Sequence, residues 1–484
     1  MKGDVFMAKT LTPVAQAKKQ VRKAREFAYW QRQKARPKSN TYFWYLVLII
    51  ALIYAVDEIA SQINSLMQTE IAIDFIDNKS AVTILGLLQI IAIPFQVLGL
   101  LYRPLADRFG RKIFLVINTF GMALALFVIF LSQNLLMYFL GACMIMFFVP
   151  HDMHVVYIME SAPTKSRAIT YSVVKFFANI AVMLIPTLRK TLMDNASEWR
   201  NVYMIPAIVG IVVSLIALLC ARETDAFIDS RLRYLKMTDY ELKAEEAKKK
   251  AQDSQGGIID ALKFGFKHKQ LRWIFICFAL AGLGVVGSMN YQAILTHSYA
   301  QSIYNSNAKE FLELVSNNQV DAALVLYPIG MALSQVIMGF ISDKKGRKAA
   351  AITVAANCVA SFVIFTVCAR TNSLTPSIVG FFCGAFVGSY YSTNDVLIMM
   401  ASESAPTHLR SSATAAQTFV GFAGYAIAYL VNMILALKFG DGIIGTVALC
   451  FLVPSFVITL IALIKNTHDT RDVDLDTVTG CEWD

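Results

Sequence analysis

Twelve apolar runs, most of them near or above 18 residues, divide this chain, and a run of that length matches the hydrocarbon core of a bilayer. They fall at roughly 42–67, 81–101, 113–132, 135–158, 169–188, 201–221, 272–296, 321–341, 349–369, 376–400, 412–436 and 443–464. The runs are too long and too unalternating for barrel strands. In lipid their backbone polar groups must then be satisfied within helices. Six runs lie on each side of a polar stretch at 222–270. The expected fold is all-α: a polytopic membrane protein with 12 transmembrane helices in two pseudo-symmetric six-helix halves. Only 16% of residues are charged, against about a quarter in a soluble domain, so a soluble fold is excluded.

Two phrases repeat half a chain apart. ESAPTKSR (160–167) returns as ESAPTHLR (403–410), and eight residues before each Glu stands an Asp: Asp152 before Glu160, Asp395 before Glu403. RPLADRFGRK (103–112) returns as GFISDKKGRK (339–348), each time after a long apolar run. Internal duplication in a membrane protein points to a transporter assembled from two related halves.

The expected organisation is a basic arm at 1–40, a first half at 41–221, a linker at 222–270, a second half at 271–465 and a tail at 466–484. With the N-terminus inside, most of the 44 Lys and Arg residues fall on one side, so both termini are expected in the cytoplasm and the protein in the plasma (cytoplasmic) membrane. The net charge of +10 is then topological, and no nucleic-acid partner is expected. The first 40 residues lack the apolar core of a signal peptide. Val14, Val21, Ala24, Ala28 and Trp30, set among basic residues, suit either an amphipathic helix on the inner leaflet or an arm that only enforces orientation. In the linker, 241–251 reads as a solvated helix and 258–266 as an amphipathic helix at the membrane. The loop at 297–320 could cover a cavity mouth. Seven of the eight cysteines sit in or beside apolar runs and Cys481 lies in the tail, so neither a disulfide framework nor a metal cluster is expected.

Gly110 and Gly346 permit tight turns between neighbouring spans. Asp107 and Asp343 can face a helix N-terminus and pair with Arg108, Arg111, Lys344 or Arg347. Such a network, made in one conformation and broken in another, would act as a latch. These two loops resemble the loop 2–3 and loop 8–9 signature of the major facilitator superfamily. Arg103 stands where that family usually has Gly, so close packing there is implied only at Gly339. The ESAPTxxR phrases resemble a narrower set, the sugar-porter and organic-ion (metabolite:H+ symporter-like) branches. Trp199-Arg200, Arg222-Glu223-Thr224 with Phe227, and Asp469-Thr470-Arg471 with Leu475-Asp476 resemble those branches more loosely. The resemblance covers about residues 42–476. It implies transport, with Glu160–Arg167 and Glu403–Arg410 as charge pairs at the inner rim that Asp107 and Asp343 could complete. Their expected role is gating. Two departures weaken a sugar assignment: the paired Gln of the seventh span is missing, although Asn290 and Gln292 survive, and the fourth span does not begin with Arg.

Ionisable residues inside spans cost at least about 2.5–3.5 kcal/mol each on insertion scales and usually face a cavity. Asp57 and Glu58 lie about 15 residues, or about 22 Å, into the first span. His151, Asp152 and His154 lie in the fourth, Lys175 in the fifth and Asp395 in the tenth. Antiparallel neighbours would bring Asp152 and Lys175 to similar depth, so an ion pair between them is expected. Proton coupling needs a carboxylate that can bind and release a proton near neutral pH. The candidates are Asp57, Glu58, Asp152 and Asp395. Family resemblance puts Asp57 first, because proton symporters often carry an acid in the first span. Adjacent on a helix, Asp57 and Glu58 point about 100° apart and cannot share one partner. His151 and His154 share a face, but without further ligands no metal is expected. They and Lys175 are candidates for substrate contact, with Gln89, Gln96, Tyr171, Asn179, Asn290 and Asn394 as neutral ones.

The expected function is secondary active transport of a small polar metabolite (a sugar, sugar acid or organic ion), with proton symport favoured. A facilitator, an exchanger or a transporter-like nutrient sensor would share these features. No nucleotide loop, nucleophile elbow or metal motif supports an enzyme, and no cofactor is expected. The expected partners are the small-molecule substrate, protons and the bilayer, with the monomer as the working unit.

Overall fold

The computed structural model describes residues 13–471 apart from 37–38, 103–104, 150–152, 162–166, 239, 242–243, 245–256 and 407–408. Among the described residues the chain is helical, without strands. Each apolar run is helix over most of its described length. Spans 1 (Asn40–Leu66), 3 (Arg111–Phe130), 6 (Asn201–Cys220), 9 (Arg347–Thr371), 10 (Pro376–Ser404), 11 (Arg410–Phe439) and 12 (Ile444–Asn466) are continuous. Span 2 breaks into Ala81–Ile91 and Ile93–Tyr102 ahead of Pro94, and span 5 into Arg167–Ala181 and Leu184–Leu192 ahead of Pro186. A proline has no N–H to donate and clashes with the preceding turn, so both breaks have a local cause. Span 4 comprises Leu135–Phe148 and Met153–Ser161. Span 7 comes in three pieces, Lys269–Gly282, Val285–Met289 and Tyr291–Tyr304, and span 8 runs from Tyr327 to Lys345 after a short turn at Asp321–Leu324.

Among the described residues, eight helices are long and apolar enough to cross a membrane on their own. Spans 2, 5 and 7 are broken. Span 10 is diluted by Ser, Thr, Asn and acidic residues in its second half. Gly110 (φ 120°) and Gly346 (φ 100°) take the same left-handed turn at the same place in the two copies of the loop motif.

Small residues bring helices together where lipid offers no hydrophobic gain from association. Gly380, Gly384 and Gly388 lie one turn apart on span 10. A Cβ on them would meet the backbone of Ala323, Tyr327 and Met331 respectively, and one on Gly330 would meet Phe381. In the first half, Gly210 of span 6 lies against Ala123 of span 3.

The apolar core reveals how the halves meet. The face carrying loops 2–3 and 8–9 is called the basic face below, and the opposite one the far face. Toward the far face one cluster runs through both halves, joining Ile63, Leu85 and Trp199 to Tyr291, Leu324 and Phe386. Toward the basic face the core divides. One cluster, with Ile50, Leu115 and Val213, belongs to the first half, and another, with Leu271, Val396 and Leu463, to the second. The molecule is a wedge, closed on the far face.

The arm forms a helix, Pro13–Lys34, docked on the linker helix Asp225–Lys236. Arg231 pairs with Glu26 at 2.7 Å, Lys34 pairs with Asp229, and Lys23 Nζ donates to Met237 O at 3.1 Å. The described arm thus has a protein partner that neither sequence alternative foresaw. Ile258–Lys267 is helical as expected, with Ile258, Ile259 and Phe266 exposed. Most of 241–251 lies outside the described residues.

Candidate functional site

Polar residues gather between and within the halves at three depths. At the basic-face rim, the Gly110 turn points the first N–H groups of span 3 at Glu223. Its Oε1 accepts from Arg111 N (2.9 Å), Lys112 N (3.1 Å) and Thr224 N (3.1 Å). Arg111 Nε donates to Glu160 Oε1 (3.1 Å) and Thr224 Oγ1 to Glu160 Oε2 (2.6 Å). The second half repeats the arrangement. Asp469 Oδ1 accepts from Lys348 N and Thr470 N, both at 3.1 Å. Arg347 Nε donates to Glu403 Oε1 (3.1 Å) and Thr470 Oγ1 to Glu403 Oε2 (2.5 Å). Burial pushes the Glu223 carboxyl above the usual carboxylate range, against the opposing pull of its backbone donors.

Of the expected rim residues, Arg111 meets Glu160 and Arg347 meets Glu403. The ion pair of Glu403 is with Arg347 of the turn motif, while Arg410 Nε donates to Ser402 O at 3.1 Å. The Arg167, Asp107 and Arg108 side chains lie outside the described residues. Asp343 is 83% exposed, with Arg347 Nη1 at 3.4 Å, and Lys344 Nζ stands 4.2 Å over the Phe340 ring. A Cβ added at Gly339 would meet nothing within 4 Å, so the close approach expected there is absent in this conformation. Glu223, Thr224, Asp469 and Thr470 join the network without having been expected in it. The matching acid-Thr pairs after spans 6 and 12 are the signal that could have found them.

At mid-depth the two neighbouring acids of span 1 part company, as their 100° separation requires. Asp57 is 7% exposed and lines a narrow crevice inside the first half, with Asn118 and Thr119 of span 3 and His154 of span 4. The Tyr54 and His154 rings are 4.1 Å apart. Asn118 Nδ2 and Oδ1 and His154 Nε2 have no hydrogen-bond partner among the described residues. Glu58 is more exposed and acts electrostatically on Tyr391 of span 10. The Lys175 ammonium acts both on His154 and, across the gap between halves, on Asp395, which is exposed. His151 and Asp152 lie outside the described residues. The Gln89 and Tyr171 side chains also lie outside them, and Gln96 is exposed. Asn394 bonds Tyr390 on its own helix. Asn179 Nδ2 donates to Gln335 Oε1 at 3.1 Å, and Tyr327 OH to Gln62 Oε1 at 3.5 Å, both across the halves.

At the far face the halves are sewn together. Asn290, expected in a cavity, is buried here and accepts from Gln68 Nε2 at 2.8 Å. Gln292 Oε1 accepts from Thr69 N (2.9 Å) and Oγ1 (2.6 Å), and its Nε2 donates to both Glu70 oxygens at 3.2 Å. Arg189 pairs with Glu70 of its own half and Asp321 of the other, both at 2.6 Å. A second seam places Asp441 against Val82 N (2.7 Å), Thr83 N (3.1 Å) and Thr83 Oγ1 (2.6 Å), with Ser80 Oγ donating to Ala436 O at 2.7 Å. Glu70, Arg189 and Asp321 are not among the expected site residues; they sit at span ends without a motif. Among the described residues no cluster suited to a metal is found.

No curated protein sequence is significantly similar to this chain. Solved structures are. A D-xylose-proton symporter matches at 15% identity with a TM-score of 0.60, over 90% of this chain and 99% of that one. The xylose transporter XylE from E. coli, in an inward-open conformation, matches at 15% identity and a TM-score of 0.53, over the same shares. A bacterial homolog of the human lysosomal transporter Spinster, inward-facing and unoccupied, matches at 15% identity and a TM-score of 0.52, over 88% of this chain and 95% of that one. At such identities the likeness is one of fold. A model of the Major Facilitator Superfamily matches residues 46–429, most of the chain, and the protein belongs to that superfamily.

Proposed function

We propose that this transporter carries a small polar metabolite by alternating access, driven by protons, across the plasma membrane. The observation that carries the reading is the wedge: a shared core and a bonded far face, opening to a basic face where Lys175 confronts Asp395 between the halves. Lys and Arg concentrate in the loops of that basic face, which supports placing it and both termini in the cytoplasm. On that orientation the conformation faces inward. Rocking of the halves about the mid-depth residues would close the rim at Asp343 and Gly339 and part the far face.

Glu58, Lys175 and Asp395 offer both signs of charge to a bound molecule. Asn179, Gln335, Tyr327 and Gln62 offer neutral hydrogen-bonding groups just beyond them. A charged or zwitterionic metabolite, such as a sugar acid or organic ion, suits this better than a plain sugar. The D-xylose-proton symporter nevertheless keeps sugars among the compounds to try.

Asp57 is the proposed proton carrier. It is buried inside the first half and lines one crevice with His154 and Asn118. A thermal-shift screen of sugars, sugar acids, carboxylates and amines, at acid and neutral pH, would identify the ligand, since a compound that binds only the folded state raises the melting temperature. With that compound in proteoliposomes, the parent protein is expected to accumulate it under an inward proton gradient. Asp57→Asn is expected to abolish accumulation while leaving counterflow exchange. Undiminished accumulation in Asp57→Asn would remove Asp57 as carrier. Absence of any uptake or exchange by the parent would overturn the transport reading.

A further inference from the structure

The far-face cluster carries more negative charge than it can hold. Arg189 and Glu70 side chains are fully buried and Asp321 is 14% exposed. One guanidinium therefore faces two carboxylates, and Asp321 alone of the three keeps a small contact with water. If both acids are ionised, the closed cluster keeps one uncompensated negative charge, and an unpaired buried charge is expensive. Among the described residues, the other groups found around it are neutral or in water. Ser316, Gln292 and Thr69 are uncharged, as are Tyr203 and Tyr291, which feel the Arg189 charge. Lys190, the other cation acting on Asp321, has an exposed side chain. Asp74 is already matched by Arg200 at 2.8 Å.

The hydrogen bonds decide which acid yields. Glu70 Oε1 accepts from Arg189 Nη2, Gln292 Nε2 and Ser316 Oγ, and Oε2 from Gln292 again, so donors already occupy both of its oxygens. Asp321 accepts only from Arg189 Nε, through Oδ1. Its Oδ2 has no partner among the described residues, and its residual exposure gives it access to water on the far face. Glu70 and Arg189 belong to one half and Asp321 to the other. Parting the halves would leave a neutral Glu70–Arg189 pair on one side and a hydrated Asp321 on the other.

We propose that Asp321 is a proton-binding site of the outer gate: closure places one external proton on Oδ2, and opening returns it to the same side. The proton crosses nothing, so this site does not drive transport. It ties the choice between inward- and outward-facing states to external pH, acid favouring closure. The proposal rests on the alternating-access reading but not on Asp57 as carrier.

Ser80 reports the gate. It is buried in the other far-face seam, bonded across the halves to Ala436 O. In proteoliposomes, a Ser80→Cys protein would be treated with a membrane-impermeant thiol reagent at external pH from about 8 down to about 5.5, with the parent as background for native cysteines. Because only the thiolate reacts, each rate is divided by that of a fully exposed engineered cysteine at the same pH, and this ratio is expected to fall toward acid pH by at most about tenfold per unit, the limit for one linked proton. Adding Asp321→Asn, or instead Glu70→Gln, balances the cluster and is expected to leave the ratio low and flat with pH, while Asp321→Glu keeps the response. Melting temperatures close to the parent's would show that the variants are folded. A pH response surviving in Asp321→Asn would overturn the proposal and point to the second seam, where Asp441 acts electrostatically on the buried His297. A response to external Na+ or K+ in place of pH would overturn it in favour of a cation. If the introduced thiol is never labelled under any condition, the far face does not open and the transport reading fails with it.

Discussion

Lys175 and Asp395 stand on spans 5 and 10, one in each half, and each lies in a stretch where charge is costly. Lys175→Glu or Asp395→Lys alone would set two like charges facing each other. Each is expected to cut uptake of the identified substrate by more than about tenfold, because it reverses a charge that the substrate meets between the halves. The exchange of both should restore a substantial part of it; two singles and a double that are equally dead would show that the residues do not act on each other. Glu223 makes a second prediction at this scale. Its folded-state pKa is raised, so the native state binds that proton more tightly than the unfolded chain does. The resulting stability is complete at pH values below the ordinary carboxylate range and is lost as pH rises through the raised native value. Glu223→Gln keeps an oxygen for Arg111, Lys112 and Thr224 N–H, so its melting temperature should fall less than the parent's as pH climbs above about 4.5. An identical pH slope in both proteins would count against this. The acids themselves are legible in the sequence, and so is the divergence of Asp57 from Glu58, because helix geometry alone decides it. That Asp395 lies in the field of Lys175 is not, because the two become neighbours only once the halves face each other.

Two glycines separate packing from motion among the helices. Gly384 presses on the Tyr327 and Met331 backbone, while Gly339 touches nothing in this conformation. Gly384→Leu should lower the melting temperature and the yield of folded protein, since overpacking costs about 1–3 kcal/mol and backbone cannot step aside as a side chain can. Gly339→Leu should leave the melting temperature near the parent's and yet slow transport, because the added bulk is met only when the rim closes. Equal loss of stability in both would refute the distinction. The breaks in spans 2 and 5 are readable from Pro94 and Pro186, although hydropathy alone shows each run as unbroken. The partition of span 7 has weaker signals, in Gly282, Gly284 and Asn290, and its outward extension to Tyr304 has none, since polar residues there are satisfied by tertiary partners. The arm helix on the linker is likewise invisible, because the charges that join them, Glu26 with Arg231 and Lys34 with Asp229, lie far apart along the chain.

For the whole molecule, the repeated phrases and twelve runs contain the two-half architecture, but not which side of it is closed. The rim networks Arg111–Glu160–Thr224 and Arg347–Glu403–Thr470 each lie inside one half. They stiffen each half where its helices meet at the basic face, and their near-identity follows from the duplication. The far-face cluster has no such symmetry: Glu70, Arg189 and Asp321 come from the ends of spans 1 and 5 and the start of span 8, and only their meeting across the halves gives them a role. The closed far face should therefore depend on Arg189 far more than on either acid alone. Arg189→Gln would strand Glu70 and Asp321 against each other, and breaking a buried pair on one side costs about 3–5 kcal/mol. If most of that falls on the closed state, the equilibrium moves toward the outward-facing form by two orders of magnitude or more. In the Ser80→Cys background, labelling should then be fast from outside when Arg189→Gln is added. That is the reverse of the slow labelling expected for Asp321→Asn, although both substitutions remove one charge from the same cluster. Slow labelling in both would mean that the apolar core shared by the halves, rather than the ionic cluster, keeps the far face shut.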